Sequence, residues 1–403
     1  ARGVGGASGV GALGMTTATS RGRSSGCDEG KSKPLRFAAI ADIQFADIES
    51  RRGRYYRESL GVTQRSAKFF NEHGGLDFFL HAGDLVDFYN TVDEFADDRG
   101  RQTASAVADV MTHLHEVRAP HSVFLIGNHE LYNWSREELL SGVPWQKPER
   151  GSSGVLRFCP EGSGELWHSF SPCAGWHCIV LDPYDVSVYR RGRQYSRPPP
   201  HNYDFDAAAV SLLVRHNTNV ATYVAEHPGE NILCNYWKDI PDGDPIGRWS
   251  PINGAVGATQ LAWLRAELDE AAERGDRVVI LSHVLVHPGS SDGKTLLWNY
   301  DEVLWLLQSP TGRAVQCVVS GHQHIGGLHT DECGIHYIVM ESPLNTPPDG
   351  PGAFFVAEAD DVHLTLSGYG NAGSPIFPDA PAAPGAPSQR RLRLRSAVRE
   401  SNL

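Results

Sequence analysis

The sequence has no apolar run that approaches the roughly 20 residues needed to cross a membrane. It also has no Cys-x-x-Cys pair, and its seven cysteines make an odd count. These absences argue against stable membrane association and against a disulfide scaffold. Cys173 and Cys178 are close enough for a local disulfide, but separate free thiols in a reducing compartment fit a chain of 403 residues better.

Basic charge is also scarce. The formal net charge is -12 at pH 7, and the sequence has no basic track outside its last residues. Because proteins that bind nucleic acids need a basic face, a nucleic-acid partner and a nuclease activity are both disfavoured. Phosphate substrates are not excluded, since bound divalent metal ions reverse the local electrostatic field.

Composition divides the chain into three parts. Residues 1–34 are rich in Gly, Ser, Ala and Arg and poor in acids, which is typical of a disordered leader and also of an organelle transit peptide. Residues 371–403 are rich in Pro and Ala and then basic, which predicts a disordered tail. Residues 35–370 form the predicted domain, in which the irregular segment 131–260 predicts substrate-side loops and insertions.

Within the predicted domain, β-branched runs alternate with amphipathic segments. The pattern predicts helices over 55–72, 93–117, 206–226, 258–274 and 299–308. It predicts strands over 35–41, 76–81, 121–126, 176–182, 277–281 and 314–319, followed by an antiparallel meander over 335–342, 353–360 and 362–368. This alternation is typical of an α/β fold.

The strand over 121–126 runs into Gly127-Asn128-His129-Glu130. Glycine lets the chain turn sharply, and side chains with metal and proton chemistry then follow the C-terminal end of the strand. In open α/β sheets, ligands bind at that edge. An Asn-His pair alone is equally compatible with ordinary loop polarity, so its interpretation depends on the other strand ends.

Four further strand ends carry side chains of the same kind. They are Asp42 with Gln44, Asp84 with Asp87, His283, and His322 with His324. The spacing leaves room for a helix and a strand between neighbouring units, so sheet topology can bring the five ends together. Carboxylate, amide and imidazole groups bind hard to borderline divalent metals, and the lack of cysteine argues against structural zinc. Two such metals about 3.5–4 Å apart activate a hydroxide and stabilise the oxygens of a reacting phosphate.

The five units resemble the signature of the calcineurin-like metallophosphoesterases. The matching motifs are Asp42-x-Gln44, Gly83-Asp84-x-x-Asp87, Gly127-Asn128-His129-Glu130, Ser282-His283 and Gly321-His322-x-His324. The resemblance covers about residues 35–370. It implies an α/β fold (α+β in some schemes), a four-layer αββα sandwich of two mixed β-sheets flanked by helices.

A narrower resemblance follows from Gln44, where most of the superfamily has histidine. Together with residues 54–60, 130–133, 181–185 and 298–300, the Asp-x-Gln motif is similar to the manganese-dependent ADP-ribose/CDP-alcohol diphosphatases. This implies hydrolysis of ADP-ribose to AMP and ribose 5-phosphate, or of CDP-choline, CDP-ethanolamine or CDP-glycerol to CMP and the phosphoalcohol. The chain departs from the usual Gly-His-x-His-Asp-Gly-Gly at Ile325, which affects loop geometry or selectivity rather than the ligands.

The resemblance also implies a ligand set for two divalent cations. One cation is expected on Asp42, Gln44 and His324, the other on Asn128, His283 and His322, with Asp84 bridging the two. An amide oxygen in place of an imidazole favours Mn²⁺ or Mg²⁺ over Zn²⁺. Mn²⁺ is therefore expected, with Mg²⁺, Fe and Zn as alternatives.

Catalytic roles follow from the same resemblance. His129, next to a ligand in the chain, is expected to act with Asp84, either as a general acid or as a charge stabiliser at the leaving oxygen. Asp87 and Glu130 are expected to orient ligands through hydrogen bonds.

The nucleoside end of the substrate needs an apolar wall and a few polar groups. The aromatic candidates for stacking a base are Phe45, Tyr184, Tyr203, Trp237 and Trp249, each of which has core or loop packing as its alternative. Arg54 and Arg57 are candidates for pairing with phosphate, and a solvated helix face is their alternative.

Two other functions are compatible with the same residues. A phosphomonoesterase or a cyclic-nucleotide phosphodiesterase uses the same metals, and only segment 131–260 and the narrower resemblance argue against it. A non-catalytic scaffold is disfavoured because every ligand position is filled. The expected partner is a small nucleotide and the expected protein is a cytoplasmic monomer, with organelle import as the alternative if residues 1–34 are a transit peptide.

Overall fold

Strands and helices alternate through most of the chain. The computed structural model describes residues 33–91, 99–146, 153–187, 207–216, 221–222, 225–226, 245–250, 252–379 and 385–396. The strands there are Leu35–Ile40 (β1), Phe78–His81 (β2), Ser122–Phe124 (β3), Val143–Gln146 (β4), Ser153–Leu156 (β5), His168–Cys173 (β6), Trp176–Val180 (β7), Arg277–Leu281 (β8), Val315–Ser320 (β9), Ile325–Thr330 (β10), His336–Glu341 (β11), Phe354–Ala359 (β12), His363–Tyr369 (β13) and Ser388–Arg393 (β14). The α-helices there are Ser59–His73 (α1), Arg99–Leu114 (α2), Asn128–Asn133 (α3), Arg136–Ser141 (α4), Ala207–His216 (α5), Ala258–Arg274 (α6) and Tyr300–Gln308 (α7).

Most of the strands belong to two mixed sheets. The first has the order β14-β13-β12-β1-β2-β3 and the second has the order β10-β11-β9-β8-β7-β6. In the first sheet β1, β2 and β3 are parallel neighbours. In the second sheet β7, β8, β9 and β11 are parallel, and the edge strands β6 and β10 are antiparallel to their neighbours. Strands β4 and β5 form a separate antiparallel pair.

Alternation along each strand builds two separate apolar layers, because successive side chains point to opposite faces of a sheet. One face of each sheet contributes to a shared core, which includes Phe37, Phe78 and Val279. The rings of Phe37 and Phe78 stack there with their centroids 4.7 Å apart. The other faces are covered by helices, as with Phe70 of α1 and Leu268 of α6. The predicted sandwich of two mixed sheets flanked by helices is confirmed.

The prediction of a disordered tail from residue 371 is wrong for its last described part. Strand β14 pairs antiparallel with β13 along the edge of the first sheet. Leu392 and Leu394 are buried, whereas Arg391 and Arg393 are exposed. The alternation of Arg and Leu is therefore a strand pattern, and charged side chains on an edge strand oppose pairing with another chain.

The predicted antiparallel meander is confirmed for β12 and β13, which pair antiparallel, and is wrong for β11. Strand β11 lies in the second sheet between β9 and β10, whereas β12 and β13 lie in the first. A period of two marks a strand but does not say which sheet it joins. The described part of segment 131–260 contains the end of α3 and also α4, α5, β4, β5, β6 and β7.

Other boundaries differ by a few residues from those predicted. Helix α1 begins at Ser59 rather than at residue 55. Within the helix predicted over 206–226, the structure has α5 at Ala207–His216. The predicted leader lies outside the described residues up to residue 32. No helix among the described residues combines the length and apolar character needed to span a membrane.

Candidate metal centre

The C-terminal ends of five parallel strands carry the candidate ligands. Asp42 and Gln44 follow β1, Asp84 follows β2, Asn128 follows β3, His283 follows β8, and His322 and His324 follow β9. Six of these residues are buried, and the side chain of His324 is 15% exposed. The structure brings the predicted ligands together in one site between the two sheets.

Four of the candidate ligands have an unusual backbone conformation. The φ angle is 50° at Asp42, 42° at Gln44, 60° at Asp84 and 68° at His322. Left-handed conformations cost L residues roughly 1–2 kcal/mol each, so they persist only where the surrounding structure imposes them. Backbone hydrogen bonds do this here, from Asp42 N to Gly83 O at 2.9 Å and from Gln44 N to Asp84 O at 3.0 Å.

Two glycines allow the loops to approach one another. A Cβ atom on Gly127 would lie 2.1 Å from Asp84 Oδ1, and one on Gly83 would lie 2.4 Å from His283 Nδ1. Neither distance is compatible with a side chain. The glycines that precede Asp84 and Asn128 are therefore required for the ligands to converge.

The Asp84 carboxylate lies between two groups of ligand atoms. Its Oδ2 accepts a hydrogen bond from Gln44 Nε2 at 2.8 Å, and the same nitrogen is 3.0 Å from His324 Nε2. Its Oδ1 lies 3.5 Å from His283 Nε2. Ligand atoms of Asp84, His283 and His322 all lie within 4.8 Å of one another. One carboxylate oxygen thus faces each group, as a bridging ligand requires.

The electrostatics of the site suit cations. Burial raises the pKa of Asp84 to about 7, against hydrogen bonds from the His129 backbone N–H and the Gln44 amide and against the charge of Arg54. Burial and the charge of Asp84 also raise the pKa of Asp42. Burial lowers the pKa of His283 to about 4 and that of His324 to about 3. Neutral imidazoles keep a lone pair for a metal, and buried carboxylates need a positive charge.

Unsatisfied polar atoms test whether a metal fits. Gln44 Oε1 and His283 Nε2 are buried and have no hydrogen-bond partner within the described part of the chain. Such atoms are rare because each costs about 1–3 kcal/mol. The other ring nitrogen of His283, Nδ1, donates to Ala82 O at 2.7 Å, so the Nε2 lone pair faces Asp84. Oxygen and imidazole donors without sulfur suit Mn²⁺ or Mg²⁺, and these residues therefore fit a two-metal centre.

His129 lies beside the Asp84 carboxylate. Its Nε2 is 3.9 Å from Asp84 Oδ2, and its Nδ1 is 3.5 Å from Asp87 Oδ2. Nδ1 also accepts a hydrogen bond from the Phe88 backbone N–H at 3.2 Å. In the neutral ring the proton is therefore on Nε2, the nitrogen that faces Asp84. Burial lowers the pKa of His129 and so favours this neutral form.

Glu130 holds the loops after β2 and β3 in place. Its carboxylate accepts hydrogen bonds from the backbone N–H groups of Asp84 at 2.8 Å, Leu85 at 2.8 Å and Gly127 at 2.6 Å. It does not contact a candidate ligand through that ligand's side chain. It positions the backbone from which the ligands project.

The candidates for substrate contact are mostly not exposed. Tyr184 is 1% exposed, and its hydroxyl donates to Asn128 Oδ1 at 3.3 Å. Trp249 is 7% exposed and its ring lies 6.1 Å from that of Trp298. Phe45 is 3% exposed, and Arg57 pairs with Asp47 on the surface. Tyr184 and Trp249 therefore present no open ring face for a base, whereas Phe45 lines a cavity of about 360 Å³.

Other positions near the centre differ in character. The positive charge of Arg54 acts on both Asp42 and Asp84 and opposes the rise of their pKa values on burial. Ile325, directly after His324, is 69% exposed. Tyr203 and Trp237 lie outside the described residues.

Two asparagines contact the imidazoles of candidate ligands, and no sequence pattern predicted them. His322 Nε2 is 2.7 Å from Asn253 Oδ1, and His324 Nδ1 is 2.8 Å from Asn345 Oδ1. Asn253 lies in an irregular segment and Asn345 in a short 3-10 turn. No local sequence signal distinguishes them from ordinary loop residues.

Comparison with known proteins gives consistent matches. Residues 35–326 match the calcineurin-like phosphoesterase family. A manganese-dependent ADP-ribose/CDP-alcohol diphosphatase of Arabidopsis thaliana is 32% identical over 339 residues, which cover 82% of this chain and 93% of the relative. A human protein of the same name is 30% identical, with coverage of 83% and 90%. The crystal structure of a dimetal phosphatase from Danio rerio has a TM-score of 0.64 and 28% identity, and the match covers 83% of this chain and 96% of that one.

Proposed function

The chain belongs to the calcineurin-like phosphoesterases, and we propose that it is a manganese-dependent hydrolase of the pyrophosphate bond in nucleoside diphosphate compounds. The substrate class includes ADP-ribose, cleaved to AMP and ribose 5-phosphate. It also includes CDP-choline, CDP-ethanolamine and CDP-glycerol, cleaved to CMP and the phosphoalcohol. The observation that carries the proposal is the Asp84 carboxylate, which has one oxygen toward each of two groups of buried ligand atoms. The names of the similar plant and animal proteins support the choice of substrate.

Two divalent cations, preferably Mn²⁺, complete the site. The ligands proposed for them are Asp42, Gln44 and His324 for the first, Asn128, His283 and His322 for the second, and Asp84 for both. When bound, the two metals supply an activated water-derived nucleophile and neutralise charge that develops at phosphorus. Gln44 Oε1 and His283 Nε2, which lack partners among the described residues, then gain one.

Within this site His129 donates a hydrogen bond to the leaving oxygen. Its Nδ1 is occupied by the Phe88 N–H, so Nε2 carries the proton on the side of the ring that faces Asp84. A donor held in place before reaction stabilises charge on the leaving oxygen without reorganisation. The Phe88 backbone N–H fixes the orientation of the ring by donating to Nδ1, and Asp87 Oδ2 lies 3.5 Å from the same nitrogen.

The substrate is bound by residues around the centre. Arg54, whose charge acts on Asp42 and Asp84, is proposed to pair with a substrate phosphate. Phe45 lines a cavity of about 360 Å³ together with Tyr89 and Asp47, and we propose that this cavity takes part in binding the substrate. Tyr184 orients the Asn128 amide through its hydroxyl.

We also propose a reducing, cytoplasmic compartment and a monomeric protein. Among the described residues Cys159, Cys173, Cys178, Cys317 and Cys333 are free thiols. Free thiols, three of them buried, suit a reducing compartment.

Turnover with three substrates tests the proposal. ADP-ribose, CDP-choline and p-nitrophenyl phosphate are each incubated with Mn²⁺, Mg²⁺ or chelator, and the products AMP, CMP and nitrophenol are measured. Manganese-dependent release of AMP or CMP that far exceeds release of nitrophenol is expected. Preference for the monoester would overturn the substrate class and favour a phosphomonoesterase at the same metals. Absence of turnover with every metal would favour a non-catalytic scaffold.

A variant of the bridging ligand tests the mechanism. Asp84→Asn removes one anionic oxygen from between the two groups of candidate ligands, so metal content is expected to fall and kcat to drop by at least about 10–100-fold. Full activity of Asp84→Asn with a fully loaded metal site would overturn the two-metal mechanism. Metal content is read by elemental analysis and kcat with the preferred substrate.

A further inference from the structure

Three imidazoles of the metal centre are each held through one ring nitrogen. His283 Nδ1 donates to Ala82 O at 2.7 Å, and His324 Nδ1 lies 2.8 Å from Asn345 Oδ1. His322 is held through its other nitrogen, since its Nε2 lies 2.7 Å from Asn253 Oδ1. His322 therefore differs from the other two in the nitrogen that remains for a metal.

The orientation of the Asn253 amide is settled by its other contacts. Asn253 is fully buried, and its Nδ2 lies 2.8 Å from the carbonyl oxygen of Arg248 and 2.6 Å from that of Lys294. Both carbonyls can only accept, so the atom that faces them must be the NH₂ group. The atom that faces His322 is then the amide oxygen, which also can only accept.

The protonation of His322 follows from that amide. Because Asn253 Oδ1 accepts, His322 Nε2 must carry the ring proton and Nδ1 must carry the lone pair. The His322 ring lies 4.9 Å from the His283 ring, and the two rings share a cluster of ligand atoms with Asp84. His283 meets this cluster with Nε2, whereas the Asn253 contact leaves His322 with Nδ1.

We propose that Asn253 is a positioning residue for the second metal site, which holds His322 in the Nε2–H tautomer so that Nδ1 binds the metal. This role rests on the two-metal centre of the proposed function but not on the identity of the substrate. Residues that fix the ring orientation of a metal-binding histidine typically change metal affinity by about 10–100-fold when they are mutated. Asn345 has the corresponding role for His324 at the first metal site.

The anchors of Asn253 connect the proposed second metal site to a neighbouring 3-10 turn and to the loop after β8. Lys294 lies between Asp292 and Thr295, both of which contact the Gln323 Oε1 atom through hydrogen bonds of 2.7 Å and 2.9 Å. Arg248 lies in a short 3-10 segment, Pro245–Trp249, five residues before Asn253. The amide of Asn253 thus connects that segment and the loop after β8 with a ligand that follows β9.

Metal binding by a set of paired variants tests the proposal. In a His283→Ala background the second site is disabled and the first remains, so Mn²⁺ binding by calorimetry reports the first site alone. Adding Asn253→Ala is expected to leave the Kd of that site unchanged, whereas adding Asn345→Ala is expected to raise it by about 10–100-fold. In the otherwise wild-type protein, Asn253→Ala is expected to raise the Kd for one of the two Mn²⁺ ions by about 10–100-fold. It is also expected to reduce the EPR signal of the spin-coupled Mn²⁺ pair.

The opposite results would overturn the proposal. Asn253→Ala with two Mn²⁺ ions bound at wild-type affinity would show that the contact does not matter for metal binding. An equal loss of affinity for both Mn²⁺ ions would show a general structural role for Asn253. Neither result depends on turnover, so the proposed function would stand in both cases; conversely, a protein that binds two Mn²⁺ ions without hydrolysing nucleotides would overturn only the proposed function.

The tautomer itself is measurable without any variant at Asn253. In metal-free, ¹⁵N-histidine-labelled protein, the His322 resonances are identified by their loss in His322→Ala. Long-range ¹⁵N–¹H spectra are expected to show the proton on Nε2. A proton on Nδ1 would overturn the proposal, and this measurement decides it even if Asn253→Ala does not fold.

Discussion

Glu130 accepts a hydrogen bond from the backbone N–H of Asp84 at 2.8 Å. The same carboxylate accepts from Leu85 and Gly127, so one side chain joins the loop after β2 to the loop after β3. Asp84 has a φ of 60°, a conformation that the chain would leave without such a restraint. The geometry of the proposed bridging ligand therefore depends on a carboxylate that need not touch a metal.

Substitution of the Glu130 carboxylate should lower both the stability of the protein and its affinity for metal. Glu130→Gln keeps the shape but turns an NH₂ group toward backbone donors, so at least one buried N–H loses its partner, at a cost of about 1–3 kcal/mol. We expect a lower melting temperature and a roughly 10-fold or greater loss of Mn²⁺ affinity. Thermal unfolding and metal titration check this. Glu273→Gln, at an exposed position on α6, is the control, and a Glu130→Gln variant as stable as that control would contradict the prediction.

Gly127 should tolerate no side chain. A methyl group there would lie 2.1 Å from Asp84 Oδ1, inside the contact distance of any pair of atoms. Gly127→Ala is therefore expected to displace Asp84 and to lower metal content at least 10-fold, together with the melting temperature. Gly164→Ala provides a matched control, since nothing lies within 4 Å of the added atom. Equal metal content in the two variants would show that the loops rearrange at little cost.

His129 should affect turnover more than metal binding. Its Nε2 lies 3.9 Å from Asp84 Oδ2, and its Nδ1 is fixed by Phe88 N–H. His129→Ala is expected to lower kcat by about 10²–10⁴-fold, the usual contribution of a positioned proton donor. Mn²⁺ content should change little, because no ligand is removed. A parallel loss of metal and activity would instead assign His129 to the metal centre itself.

The sequence predicted where the candidate ligands lie because each follows a strand with a strong β pattern, whereas the family resemblance supplied their proposed roles. Asp84 after β2 and His283 after β8 were visible in this way, since a buried strand and a polar loop are both local features. Asn253 was not visible. Its partner His322 is 69 residues away and the segment around Asn253 has no period, so only tertiary structure brings the two together.

The same limit explains the errors in the fold. Leu392 and Leu394 belong to the core between the sheets. The arginines that alternate with them made the segment resemble a solvated tail. Tyr184 and Trp249 were candidates for stacking a base because aromatic residues in loops often bind ligands. The structure uses both rings for packing, which composition alone does not distinguish from a binding role.

His81 should make stability depend on pH below neutrality. It is fully buried, neither ring nitrogen has a hydrogen-bond partner among the described residues, and burial and the charge of His283 lower its pKa to about 3. The unfolded chain takes up this proton near pH 6.5 and the folded protein does not. The contribution to stability is therefore complete above pH 6.5 and is lost as the pH falls, by about 1.4 kcal/mol per unit.

Replacement of His81 by a group that does not titrate should remove this dependence. As the pH falls from 7.5 to 5.5, the free energy of unfolding of His81→Leu is expected to rise by about 1.4 kcal/mol relative to that of wild type. Urea unfolding at the two pH values measures the difference. His121→Gln, a change at an exposed position, is the control and should show no such gain. A constant difference between His81→Leu and wild type across this range would exclude His81 as the source.

Four candidate ligands have left-handed backbones. At these positions, selection for stability and selection for activity favour different residues. Glycine adopts that backbone without cost, so replacing Asp42, Gln44, Asp84 or His322 by glycine relieves strain while it deletes a ligand. If random variants are selected only for resistance to heat, substitutions should therefore accumulate at these four candidate ligand positions. A lineage selected for stability but released from the need for activity would lose side chains at these four positions while it keeps the fold.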